Sequence, residues 1–84
     1  MKLINLKRYH VFKNLCDNKL YLLNETYHKN GIYFFEFHRV YKDGRTNLIG
    51  YYTYDKEYIK QIEVIDLGDY MDWLKNNHPI RYNN

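Results

Sequence analysis

Asp43-Gly44 sits between two runs of aromatic and β-branched residues, and this dipeptide constrains the fold more than any other feature of the chain. A two-residue type I′ turn needs positive φ at both central positions, which Asp or Asn followed by Gly tolerates. Gly31 to Asp55, GIYFFEFHRVYKDGRTNLIGYYTYD, therefore reads as one β-hairpin, and it holds eight of the sixteen aromatic residues. With a two-residue loop, Phe37 faces Gly50, Phe35 faces Tyr52 and Tyr33 faces Tyr54, which makes one face strongly aromatic, with Phe37 over the bare backbone of Gly50. Ile32, Phe34, Glu36, His38 and Val40 form the other, mixed face. The alternative is a three-residue loop with Gly44 left-handed, which pairs Tyr41 with Arg45 and slips every pair by one. Alternation keeps Tyr33, Phe35 and Phe37 together in both registers.

A second turn signal, Asn30-Gly31, lies at the other end of Ile32 to Tyr41, so this strand is expected in the middle of an antiparallel meander. Leu20 to His28 supplies its partner. Residues 3 to 15 carry both patterns: Ile4, Val11, Phe12 and Leu15 share a helical face, while Tyr9, Val11 and Phe12 favour a strand, the reading taken here. After a turn at Asp55-Lys56-Glu57, Tyr58 to Ile65 is expected as the last strand. Asp66 then suits the N-cap of a short helix with Leu67, Tyr70, Met71 and Leu74 on one apolar face and Trp73 beside it. Pro79 stops that helix, and Ile80 to Asn84 is expected as a loose tail. The expected fold is α+β, a four- or five-stranded antiparallel β-meander with one C-terminal α-helix packed on a face, the more aromatic one. Eighty-four residues suffice for a single domain spanning 1–84 with one core.

The apolar fraction of 45% includes eleven tyrosines, whose hydroxyls need water or a partner, so part of it must lie at the surface. The chain has no alanine or serine and much Asn, Lys, Tyr and Ile, a bias that A/T-rich codons would produce. Cys16 is the only cysteine, which excludes an internal disulfide and fits a reducing cytosol. The start MKLINLKRYH is interrupted by charge, so neither a secretory segment nor a membrane span is expected, and the localisation expected is cytoplasmic. Formal charge is +3, with eight Lys or Arg against three acids up to Lys42 and five against seven beyond it.

Catalytic and cofactor chemistry find no support in the pattern. The four histidines and Cys16 never occur at zinc-ligand spacings, and no phosphate-cradling glycine motif exists. Glu36 and His38 share a strand face, but no nucleophile accompanies them. A non-enzyme without cofactor or metal is expected, one that binds a protein partner. Tyr and Arg are enriched at interface hot spots, which makes Arg39, Tyr41, Arg45, Tyr51 and Tyr58 candidate contact residues, and the basic hairpin end and N-terminal basic cluster add Lys42, Lys7, Arg8 and Lys13. The alternative partner is single-stranded nucleic acid, with Tyr21, Tyr27, Phe34 or Tyr51 stacking on bases and Lys7, Arg8, Lys13, Arg39 and Arg45 on phosphates.

Asn30 to Phe37, NGIYFFEF, resembles the aromatic strand motif of RNA-recognition domains at Gly31, Phe34 and Phe37. It departs from that motif at Asn30 and Tyr33, and a strand is expected where that family has a helix, so membership is not assigned. In size, codon bias and lack of active-site residues the chain resembles small phage and mobile-element accessory proteins, which include inhibitors of host defence nucleases such as anti-CRISPR proteins. That resemblance implies steric inhibition of a host protein. The positive net charge runs against nucleic-acid mimicry.

Overall fold

Five strands form one antiparallel sheet in the computed structural model, which describes residues 1–82. They are β1 (His10–Asn14), β2 (Leu20–Lys29), β3 (Ile32–Val40), β4 (Thr46–Asp55) and β5 (Val64–Asp69), in the spatial order β4-β3-β2-β1-β5. The helices are short: α1 (Lys56–Ile59), α2 (Tyr70–Asn77) and α3 (Pro79–Tyr82), with one 3-10 turn at Leu3–Asn5. The α+β expectation and the meander of the first four strands hold. β5 departs from it, because it pairs with β1 at the far edge instead of continuing from β4.

Local chemistry explains the turns. Asn30 and Gly31 have φ of 52° and 77°, the values a two-residue type I′ turn needs, and Lys29 pairs directly with Ile32. The second hairpin turns differently. Gly44 N–H donates to Tyr41 O at 2.9 Å and Tyr41 N–H to Arg45 O at 2.9 Å, which closes a three-residue loop with Gly44 at φ 88°. Next to this loop Val40 pairs with Thr46, Arg39 with Asn47 and His38 with Leu48. Ile49 is then an extra residue on β4, and beyond it Phe37 pairs with Gly50, Phe35 with Tyr52 and Tyr33 with Tyr54. Both registers considered from the sequence are present, one in each half of the hairpin, joined by a bulge. A second bulge leaves Asn24 unpaired on β2, between Leu23↔Phe37 and Glu25↔Glu36. Bulges of this kind bend a strand and increase its twist.

The segment after β4 corrects the sequence reading. Tyr58 to Ile65 is not one strand: Asp55 accepts a hydrogen bond from Tyr58 N at 2.8 Å and caps the single turn of α1. That turn drives Ile59 into the core, where it is completely buried. The chain then crosses the aromatic face, where Leu3 N–H bonds Ile62 O at 2.8 Å, and reaches the β1 edge as β5. Asp66 lies in β5 and does not cap the helix. Asp69 does, accepting from Met71 N and Asp72 N. Leu67 and Gly68 also belong to β5. Ile80 is in α3 and not in a loose tail; Asn83 and Asn84 lie outside the described residues.

The sheet is buried on both sides. One core gathers Leu3, Leu6, Phe12, Leu23, Phe35, Phe37, Ile59 and Val64 beneath the N-terminal segment and α1. The other packs Trp73 and Leu74 of α2 on Val11, Leu22 and Val40. The C-terminal helix therefore covers the less aromatic face, contrary to expectation. Val11-Phe12 and Leu22-Leu23 each offer an apolar residue to either face, so α2 can bury Trp73 there while α1 and the N-terminal segment close part of the aromatic side.

Candidate binding surfaces

With α2 on the opposite side, part of the aromatic face stays open as a cleft of about 300 Å³. Its floor is Phe12, Tyr21 and Phe37, and its walls include Ile49, Tyr52, Tyr54 and Tyr58. The rings form a continuous series. Centroids lie 5.7 Å apart for Phe12–Tyr21, 5.6 Å for Phe12–Phe37 and 5.6 Å for Phe37–Tyr52, and Phe35, 5.7 Å from both Phe37 and Tyr54, links these to the Tyr54–Tyr58 pair at 5.6 Å. The bulge at Ile49 turns that side chain into the cleft.

Arg39 stands at the hairpin end of this series. Its guanidinium carbon is 5.8 Å from the Tyr21 ring centroid and 5.5 Å from that of Tyr41, within range of an attraction to both ring faces. Its Nε is buried and has no hydrogen-bond partner. Among the described residues no carboxylate forms an ion pair with it. Tyr41 is shared, because Arg45 lies 6.0 Å from the same ring and pairs with Asp43 at 2.6 Å.

Tyr21 also donates a hydrogen bond to Asp17. Burial, then this hydrogen bond and the Asp17 charge, push the Tyr21 hydroxyl up to about 12, with Arg39 opposing. For Asp17, burial acts upward but is outweighed by the hydrogen bonds from Tyr21 and the Lys19 amide and by the charges of Lys19 and Arg39, so its carboxyl is held below the usual range. Burial, then the neighbouring Tyr58 and Tyr52, raises Tyr54.

The nine candidate contact residues do not form one surface. Arg39, Tyr41, Lys42 and Arg45 come together at the hairpin end, and Tyr58 borders the same cleft through α1. Arg8 is engaged elsewhere, with Asn24 O at 3.0 Å, Glu25 at 3.3 Å and the Tyr9 ring at 4.7 Å. Lys7 is exposed beside it. Lys13 follows Phe12 on β1 and so points to the other face of the sheet. Tyr51 is on that other face too, opposite Glu36. Sequence reasoning placed Tyr52 and Tyr54 on the aromatic face but left them out of the site, because a helix was expected to cover them. It overlooked Asp17 as the partner of Tyr21, for which a four-residue separation across a turn was the available signal.

Among the described residues no three His, Cys, Asp or Glu side chains could hold a metal ion, and no helix is long and apolar enough to cross a membrane. The fold and its clefts define a small sheet domain with open aromatic surface. No protein-family model, curated protein or solved structure matches the chain.

Proposed function

We propose that this chain is a non-enzymatic module that binds a protein partner at the hairpin end of its aromatic cleft, with Arg39 and Arg45 receiving carboxylates and the cleft receiving an apolar side chain. The observation that carries this reading is Arg39: a guanidinium held between two tyrosine rings, with a buried unpartnered Nε and, among the described residues, no carboxylate paired to it. Fixing a cation before binding reduces the entropy lost on association, and a planar guanidinium suits bidentate contact with a carboxylate. Steric occupation of a host protein, the mode of the mobile-element inhibitors that the composition resembles, needs no catalytic group.

Single-stranded nucleic acid is the second reading, since a cation beside stacked rings also suits a phosphate next to a base.

Selection of a displayed random peptide library on the intact protein tests the proposal. Enrichment of sequences with Asp or Glu beside an apolar or aromatic residue is expected, and Arg39→Gln should weaken the selected peptides about tenfold, the scale of one charge-assisted hydrogen bond. No enrichment, or binding indifferent to Arg39→Gln, overturns it. Titration with an oligothymidine runs in parallel, and tight binding that collapses with rising salt would transfer the site to nucleic acid.

A further inference from the structure

On the side of the sheet that α2 occupies, the helix reaches only the part of the face built by Val11, Leu22 and Val40. Beyond that part of the face three aromatic side chains stand together. Tyr27 and Phe34 are cross-strand partners whose rings stack at 4.6 Å and 5°, and Tyr51 rises beside them with 73% of its surface exposed. Together with Glu25 and Glu36 they line a cleft of about 280 Å³.

The two glutamates are directly opposed in the β2–β3 ladder. Like charges in that position repel and destabilise the pair of strands. The chain offsets this in part: Arg8 reaches Glu25 at 3.3 Å, Thr26 N–H donates to Glu25 at 3.3 Å, the Asn24 amide donates to Glu36 at 2.9 Å, and His38 Nε2 lies 3.5 Å from Glu36. Negative carboxylates and the negative faces of aromatic rings converge on one opening. Both attract a cation and both repel a phosphate or a carboxylate.

We infer that the Tyr27–Phe34–Tyr51 cleft binds a cationic side chain, a lysine or arginine of a partner protein segment, with Glu25 and Glu36 as its counter-charges. The volume accommodates one side chain, being just below the lower bound of about 300 Å³ for small-molecule pockets. This site is separate from the Arg39 end of the aromatic cleft in face, in residues and in the sign of its ligand, and it stands or falls without the function proposed above.

Two-dimensional NMR of the full chain supplies the test. Blocked Gly-Gly-Arg-Gly-Gly and Gly-Gly-Lys-Gly-Gly peptides are titrated in, with the citrulline peptide as the uncharged isostere of arginine. Either cationic peptide should shift the ring signals of Tyr27, Phe34 and Tyr51, and citrulline should not. Tyr51→Ala and Glu36→Gln should each weaken binding about fivefold. Tyr51 is largely exposed, so its variant reports on binding even if Glu36→Gln fails to fold. Equal shifts from arginine and citrulline, ring signals that stay still at millimolar peptide, or Tyr51→Ala without effect would each overturn the inference.

Discussion

Phe37 and Gly50 are direct partners across the β3–β4 ladder, and the register changes by one at the adjacent pair, His38↔Leu48. Gly50 has φ of +145°, a conformation that side chains with a Cβ rarely adopt. Space is not what selects glycine here: an added Cβ would meet only Tyr52 Cε2, at 4.0 Å, an ordinary contact. The Phe37 ring does not cover that position, so the requirement lies in the backbone at the bulge. Gly50→Ala should therefore cost about 1–3 kcal/mol, read from the urea midpoint, through strain alone. A change below a few tenths of a kcal/mol would mean that the bulge relaxes into the uniform register.

Features set by adjacent residues were legible in the sequence; features set by distant ones were not. Asn30-Gly31 carries its turn in its own dihedral preferences. Asp43-Gly44 marked a turn equally well, but loop length depended on how Ile49 is accommodated on the far strand. A four-residue helix has no period to read, and Tyr58, Ile59 and Ile62 look like strand residues, so α1 was missed. The face chosen by α2 was hidden because both sides of the sheet are apolar. In the site, Arg39 and Tyr41 could be named by residue type. That Tyr21 lies opposite Arg39 follows from the bulge at Asn24, without which Leu22 would take that place.

Neighbouring residues of α1 should respond very differently to truncation. Ile59 is 0% exposed and Tyr58 is 54% exposed. Ile59→Ala removes buried methyl and methylene groups from a core that cannot fully collapse, and should cost about 2–5 kcal/mol. Tyr58→Ala should stay within about 1 kcal/mol, mainly the loss of its stacking on Tyr54 at 5.6 Å. Chemical denaturation of both variants checks the contrast. Equal losses would place this segment in some other conformation than the capped turn.

Acid stability should depend on Asp66. Burial pushes its carboxyl up, but the Gly68 amide, the hydrogen bond and charge of His10 and the charge of Lys7 outweigh it, so the group is held below the usual range. His10 Nδ1 lies 2.9 Å from Asp66 Oδ1. A carboxyl depressed in the folded state stabilises fully above its unfolded value of about 3.9 and loses that contribution as pH falls through the folded value. Wild-type stability should drop below about pH 4, and Asp66→Asn, already weaker at neutral pH, should show a shallower drop. Parallel curves for the two proteins would assign the acid limb to other carboxylates.

Alkaline titration should single out Tyr21. Its hydroxyl is raised to about 12 by burial, by its hydrogen bond to Asp17 and by the Asp17 charge. A tyrosine in water ionises near 10, so the folded state favours the neutral form. The resulting stabilisation is complete below about pH 10 and disappears as pH rises through the folded value, which places the loss between about 10 and 12. In the absorbance of tyrosinate, Tyr21 should give a late phase in the folded protein, above the ordinary tyrosine value of about 10. Asp17→Asn removes the charge and should bring that late phase back toward the main transition, while Asp43→Asn, beside Arg45, should leave it in place. Tyr54 is raised as well, so Tyr21→Phe identifies the phase that belongs to Tyr21. If that phase persists unchanged in Asp17→Asn, burial alone raises Tyr21, and the Asp17–Tyr21 hydrogen bond has no part in ordering the ring on which Arg39 rests.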